Sequence, residues 1–151
     1  MSLVFIEDLE NKDMFKSSCQ TLTNTINCVS VMGKGIALEF KNRYPEMFKD
    51  YQKRCAAGEV KVGFPYVWRG LNKWVLNFPT KNFWQNPSKL EWIEDGISHF
   101  LMNYKGWGVK SLGLPKLGCS NGGLNWVDVR KIIVDKMSGI DILVEVYGTK
   151  L

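Results

Sequence analysis

Hydrophobic and polar positions along the chain fall into two kinds of run. Leu3 to Glu7 alternates enough to predict a strand, and Cys19 to Val31 holds a β-branched run ending in the polar stretch Asn24-Thr25-Ile26-Asn27, which predicts a second. After Gly33-Lys34-Gly35 the spacing turns helical, with Ile36, Ala37, Phe40, Tyr44, Phe48 and Tyr51 recurring on one face up to Gly58. Pro45 suits the first turn of a new helix, so a break is predicted near Tyr44. The apolar runs Val60 to Trp68 and Trp74 to Phe78, separated by Arg69-Gly70-Leu71-Asn72-Lys73, predict a hairpin. Ser88-Lys89-Leu90-Glu91 has the form of a capping box, and Leu90, Ile93, Ile97, Phe100, Leu101 and Tyr104 then trace a helical face. Val109 to Leu117 reads as a buried strand leading into Gly118-Cys119-Ser120-Asn121-Gly122-Gly123. Asn125 is placed to cap a helix that turns Trp126, Val129, Ile133 and Met137 inward and stops at Gly139, and Ile140 to Tyr147 closes the pattern as a strand. Strands alternating with helices, plus one hairpin, predict an α/β fold with a mixed central sheet.

The length of 151 residues, without repeats, low-complexity tracts or linkers, fits one domain over 1–151. Every apolar run is interrupted by a charge before the ~18 residues a membrane span needs, so no membrane partner is expected. The opening Met1-Ser2-Leu3-Val4-Phe5-Ile6-Glu7 has no basic segment or cleavage site of an export signal, which points to the cytoplasm. Cys19, Cys28, Cys55 and Cys119 form no CxxC pair and have only His99 to join them, which removes zinc-finger spacing and makes small buried hydrophobes the expected role. His99 lies four residues after Asp95, so a solvated i,i+4 pair is expected there. Twenty basic residues against fifteen acidic ones give a net charge of +5, compatible with an anionic partner but spread along the chain.

Chemistry concentrates in two glycine-rich loops, Met32-Gly33-Lys34-Gly35 and Gly118-Cys119-Ser120-Asn121-Gly122-Gly123, each after a predicted strand and before a predicted helix. Such loops offer free backbone N–H groups and the positive end of a helix dipole to phosphate oxygens. Neither matches GxxxxGK[ST] or GxGxxG, so ATPase and dinucleotide-dehydrogenase readings lose their main support.

Four blocks together carry a family resemblance: Asn24-Thr25-Ile26-Asn27; Val31-Met32-Gly33-Lys34-Gly35-Ile36-Ala37-Leu38-Glu39-Phe40-Lys41; Asn77-Phe78-Pro79-Thr80-Lys81; and Leu114-Pro115-Lys116-Leu117 running through the second loop to Leu124-Asn125-Trp126. In this order the chain resembles a macrodomain from about Asp13 to Tyr147. It is most similar to the DarG-type antitoxin macrodomains that remove ADP-ribose from thymidine bases in DNA, and more distantly to the terminal ADP-ribose protein glycohydrolase. The resemblance implies a three-layer α/β/α sandwich around a central mixed sheet, with ADP-ribose as ligand and product and no cofactor or metal. It places Asp13, with Met14 beside it, at the adenine amino group and Asn27 at the distal ribose. Met32, Gly33, Lys34, Gly35 and Ile36 match the first phosphate loop. Pro115, Gly118, Cys119, Ser120, Asn121, Gly122 and Gly123 match the second. Lys81 falls on the catalytic lysine, with Asn27 orienting the ribose.

Two departures bear on substrate. Gly122 stands where the protein glycohydrolase has an aspartate, which favours DNA-linked over protein-linked ADP-ribose, and Ser30 stands where the pattern has glycine. Trp84, in the polar stretch after Lys81, is a candidate stacking surface for the modified base of single-stranded DNA, with Lys89 near phosphates. Cys119 has no base beside it in sequence and is not expected to be a nucleophile. The expected partners are ADP-ribose, ADP-ribosylated single-stranded DNA and a cognate DarT-like toxin, with a monomer as the default. The competing readings are a non-catalytic ADP-ribose reader, an ADP-ribose 1″-phosphate phosphatase and a glycohydrolase for protein-linked ADP-ribose.

Overall fold

A computed structural model describes residues 2–6 and 13–148. Among them are strands β1 (Ser2–Phe5), β2 (Thr21–Asn27), β3 (Tyr66–Arg69), β4 (Trp74–Lys81), β5 (Ser111–Leu114) and β6 (Leu143–Val146), and helices α1 (Gly35–Arg43), α2 (Pro45–Ala56), α3 (Leu90–Trp107) and α4 (Trp126–Met137). A single 3₁₀ turn covers Met14–Lys16. The sheet order is β1-β6-β5-β2-β4-β3, parallel except for the antiparallel β3–β4 hairpin. The expected mixed α/β sheet is therefore present. No described helix is long and apolar enough to cross a membrane.

Strand alternation sorts the core into two layers. On β4, Val75 faces the cluster built by Met14, Leu22, Ile26, Phe40, Met47 and Tyr51, while Leu76 and Phe78 face the cluster built by α3 and α4. Glycines set how closely these layers approach. A Cβ on Gly96 would lie 2.3 Å from the Phe78 ring, so α3 rests directly on β4. A Cβ on Gly113 would lie 2.9 Å from Leu22 and 3.2 Å from Met14, so its absence lets the 3₁₀ turn seat against the sheet.

Several predicted boundaries hold and others are corrected. The helix breaks at Tyr44, where the Tyr44 N–H closes α1 on the Phe40 carbonyl at 2.8 Å and Pro45, which has no N–H to lose, starts α2. The expected strand from Val60 to Trp68 shrinks to its end: Gly63 takes φ +84° and Pro65 cannot donate to a ladder, so only Tyr66–Arg69 pairs. Cys19 to Val31 shortens to Thr21–Asn27, because the Asn27 side chain takes the Val29 and Val31 N–H groups itself. The two later strands likewise contract to Ser111–Leu114 and Leu143–Val146. Glu7, the predicted end of the first strand, lies outside the described residues.

Ser88 does not cap α3. The cap position falls on Lys89 without a side-chain bond, and the Ser88 N–H, which a capping box would pair with Glu91, goes to the Gly122 carbonyl at 3.0 Å. His99 packs its ring between Phe64 and Trp107, with centroids at 5.2 and 5.6 Å, in place of the expected solvated pairing with Asp95. Of the four free cysteines, Cys19 is buried, as expected, and the others are half-buried.

Candidate functional site

In a parallel sheet the carboxyl ends of the strands leave a crevice where crossover connections diverge to opposite faces. Here β2 runs through α1 and α2 towards β3 and β4, and α3 then returns the chain to β5 on the other side of β2. A cleft of about 930 Å³ opens at these ends. Its floor steps along the strands: Tyr147 after β6, Pro115 after β5, Asn27 at the end of β2 and Lys81 at the end of β4. At ~4.8 Å per strand the three steps from β6 to β4 cover ~14 Å, enough for an extended nucleotide ligand.

Of the residues expected at the site, Asp13, Met14, Asn27, Gly33, Lys34, Ile36, Lys81, Trp84, Pro115, Gly118, Ser120, Asn121 and Gly122 line the cleft. Met32, Gly35, Cys119 and Gly123 do not. The Met32 side chain is only 2% exposed and belongs to the core under α1. Gly35 lies behind the first loop, where a Cβ would meet the Asn121 amide nitrogen at 3.2 Å, so the two glycine loops touch across it. The Cys119 thiol donates to the Leu117 carbonyl at 3.4 Å, and burial pushes its pKa up to about 11, which argues against a nucleophilic thiolate. Gly123 adopts φ +75° at the turn out of the loop.

The two loops present backbone donors differently. The first runs straight into α1, whose first intrahelical bond is from the Leu38 N–H to the Lys34 carbonyl at 3.3 Å. The N–H groups of Gly35, Ile36 and Ala37 precede that bond, and Lys34 at the cap position supplies no side-chain acceptor. The second loop closes on itself through the Leu124 N–H to Gly118 carbonyl bond at 3.0 Å. Gly122 is enclosed there: a Cβ would lie 2.4 Å from both the Gly118 carbonyl oxygen and Ser88 Oγ.

Asn27 and Lys81 are register partners on adjacent parallel strands, just past an irregularity between Ile26 and Asn27. Asn27 is buried and heavily bonded. Its Oδ1 accepts from the Tyr51 hydroxyl at 2.8 Å, the Val29 N–H at 3.0 Å and the Val31 N–H at 3.3 Å, and its Nδ2 donates to the Val31 carbonyl at 2.7 Å. That leaves one amide hydrogen for the cleft. Lys81 Nζ donates to the Trp84 carbonyl at 3.2 Å. Burial lowers the Lys81 pKa below the usual lysine range, and the neighbouring Lys34 ammonium lowers it further. Asp13 caps the 3₁₀ turn by accepting from the Phe15 N–H at 2.9 Å with one oxygen, while its carboxylate lines the cleft.

Sequence reasoning missed other lining residues, among them Phe15, Thr80, Gln85, Lys116 and Tyr147. Tyr147 was within reach, because it ends the last predicted strand, at the carboxyl end where ligands bind in such sheets. Its hydroxyl donates to Glu145 at 2.9 Å and its N–H to the Leu114 carbonyl at 2.8 Å, which holds it at the cleft's end. Among the charged lining residues are three lysines, Lys34, Lys81 and Lys116, against the carboxylate of Asp13. The cleft is thus built for an anionic, acceptor-rich ligand. No group of three His, Cys, Asp or Glu side chains able to hold a metal ion occurs among the described residues.

A family model described as Macro domain matches residues 23–133, which contain most of β2, all of β3 to β5, both glycine loops and most of α4. The chain belongs to the Macro domain family. A relative from Mycobacterium tuberculosis (strain ATCC 25618 / H37Rv), named DNA ADP-ribosyl glycohydrolase, is 44% identical over 126 residues, 81% of this chain and 36% of that protein. This macrodomain therefore matches little more than a third of that relative's length. The solved macrodomain of Thermus aquaticus DarG superposes with a TM-score of 0.87 at 35% identity, covering 95% of this chain and 96% of that one. Thermosipho africanus DarTG in complex with ADP-ribose superposes with a TM-score of 0.84 at 38% identity, covering 89% of this chain and 39% of that one. The resemblance read from the four sequence blocks, and the fold it implied, are both borne out.

Proposed function

We propose that this macrodomain hydrolyses the glycosidic bond joining ADP-ribose to a base of DNA. The observation that carries the reading is the pairing of Asn27 with Lys81 at adjacent strand ends, with the lysine's pKa lowered by burial in a cleft that Lys34 and Lys116 also line. The similarity to a protein named for this activity and to a DarTG structure holding ADP-ribose supports it. The diphosphate spans the α1 N-terminus and the second loop, where backbone N–H groups and Lys34 meet its oxygens. The adenine lies towards Asp13 and Met14, and the distal ribose towards Asn27 and Lys81. ADP-ribose enters as ligand and product, without a metal or cofactor.

In the proposed reaction the neutral Lys81 amine attacks the anomeric carbon of the distal ribose. The C–N bond to the base breaks, its electron pair leaves with the base, and the proton lost by the amine neutralises that base. The ribosyl–lysine linkage then opens its ring, the C1″–O4″ electron pair passing to the ring oxygen, which takes up a proton, and the lysine nitrogen forming an iminium with C1″. Water adds at that carbon, the lysine leaves as the amine, and ADP-ribose is freed. The lowered pKa favours this role because it raises the neutral fraction near neutral pH. Gly122 supports DNA over protein as the linked polymer, since its enclosure leaves no room for an aspartate side chain without moving Ser88 and the loop. The free cysteines suit a reducing cytoplasm. The existence of a transferase–glycohydrolase fusion among the relatives supports a DarT-like partner.

The test is release of ADP-ribose from an oligonucleotide carrying ADP-ribosyl-thymidine. Wild type is expected to release it, with a rate that rises as pH climbs through the lowered Lys81 pKa, and cyanoborohydride is expected to trap a ribosyl adduct on Lys81. Lys81→Ala is expected to lose ~10²–10⁴ in turnover while retaining ADP-ribose affinity. Tight ADP-ribose binding with every linkage left intact indicates a reader instead.

A further inference from the structure

We infer that the segment following Lys81 is a two-ring platform for single-stranded DNA, on which Trp84 takes the modified base and Phe83 takes an adjacent, unmodified one. The inference rests on the DNA-linked reading above and extends it from one nucleotide to a stretch of strand. Residues 82–87 are exposed throughout. Phe83 is 56% exposed and Trp84 49%, and neither ring belongs to a core cluster. Two consecutive large rings left in water are not explained by packing, and such exposed apolar surface marks an interaction site.

The segment is braced rather than free. Asn86 N–H donates to the Phe83 carbonyl at 3.1 Å and closes a tight turn. Lys81 Nζ holds the Trp84 carbonyl from one side, and the Ser88 N–H ties the other end to the Gly122 carbonyl of the second loop at 3.0 Å. Trp84 lines the cleft, and Phe83, its exposed neighbour in the chain, stands outside the lining. Because Lys81 ends β4 and Trp84 and Gln85 line the cleft beside it, a polymer joined to the ribose at Lys81 has this exposed segment within reach.

The chemistry of the rim selects the polymer. Stacking platforms need flat faces, which unpaired bases offer and a duplex does not expose. Exposed Lys89, whose Nζ sits 5.3 Å from the Trp92 ring, stands just beyond the segment and suits a phosphodiester. An acidic peptide would satisfy the lysines but leave both rings without partners.

The test compares kcat/KM for ADP-ribosyl-thymidine 5′-monophosphate with that for a single-stranded pentanucleotide carrying the same base at its centre. Wild type is expected to prefer the pentanucleotide by roughly tenfold, the contribution of about one stacked base. Phe83→Ala, folded by circular dichroism, is expected to bring that ratio close to one, and Phe83→Trp to restore it. A wild-type ratio near one, or a ratio that Phe83→Ala leaves unchanged, overturns the platform while the glycohydrolase reading stands. Release from neither substrate overturns both.

Discussion

The helices α1 and α4 both begin after a glycine-rich loop of the same cleft, yet they begin differently. α4 is capped: Asn125 Oδ1 accepts from the Val127 N–H at 2.8 Å. α1 has Lys34 at that position, with no acceptor for its first N–H groups, and two residues of its opening turn, Ile36 and Ala37, line the cleft. A missing cap costs about 1 kcal/mol of stability. In the proposed binding mode the chain accepts that cost where the helix end itself would meet the ligand, and avoids it where a self-closed loop would take over the contact. Helix termini sharing one cleft are thus divided into an open end and a capped end by one side chain each.

The comparison is broken most severely by closing the loop that stands in for the α4 terminus. Gly122→Ala forces a Cβ to 2.4 Å from the Gly118 carbonyl oxygen and Ser88 Oγ. With the charge-assisted bonds from this loop disrupted, ADP-ribose affinity by calorimetry is expected to fall roughly a hundredfold. A paired exchange of caps comes next. Lys34→Asp gives α1 a cap and puts an anion where phosphate belongs, so affinity is expected to drop about tenfold or more while the melting temperature rises by ~2–4 °C. Asn125→Ala is expected to lower the melting temperature by a similar ~2–4 °C with affinity held within about twofold. If both substitutions weaken binding equally, the division between the two ends fails.

The smallest effect belongs to Ser30, which leads into the first loop with φ +67°, the one left-handed non-glycine residue among those described. An L-residue pays ~1–2 kcal/mol there, partly offset by the greater freedom glycine has when unfolded. Ser30→Gly is expected to raise the melting temperature by ~1–3 °C. A lower value shows that the serine side chain compensates for its backbone.

Features set by neighbouring residues were legible in the sequence. Asn125 caps as expected because an N-cap needs only its own side chain and the N–H two residues on, and Pro45 starts a helix because its ring lacks a donor. The site's main landmarks, Asn27, Lys34, Lys81 and Trp84, were also legible, since they sit in loops or at strand ends that the periodicity and the family pattern locate. What escaped was fixed at long range. Ser88 matched a local capping pattern, but the cap position falls on Lys89 and the Ser88 N–H bonds Gly122 in a loop distant in sequence. Nothing near Asn27 announces that Tyr51, on α2, bonds its side-chain oxygen, and nothing near His99 announces Phe64.

The register of β2 against β4 has a consequence for how such a chain can change over time. Asn27 and Lys81 are spaced by the pairing of two adjacent strands, whereas the phosphate contacts proposed above belong to loops on either side of it. Substitutions in the loops can retune how long a ligand stays without altering the separation of the two reacting-end residues. On the proposed function, occupancy and turnover are thus encoded in different segments, and selection can adjust one while the sheet holds the other.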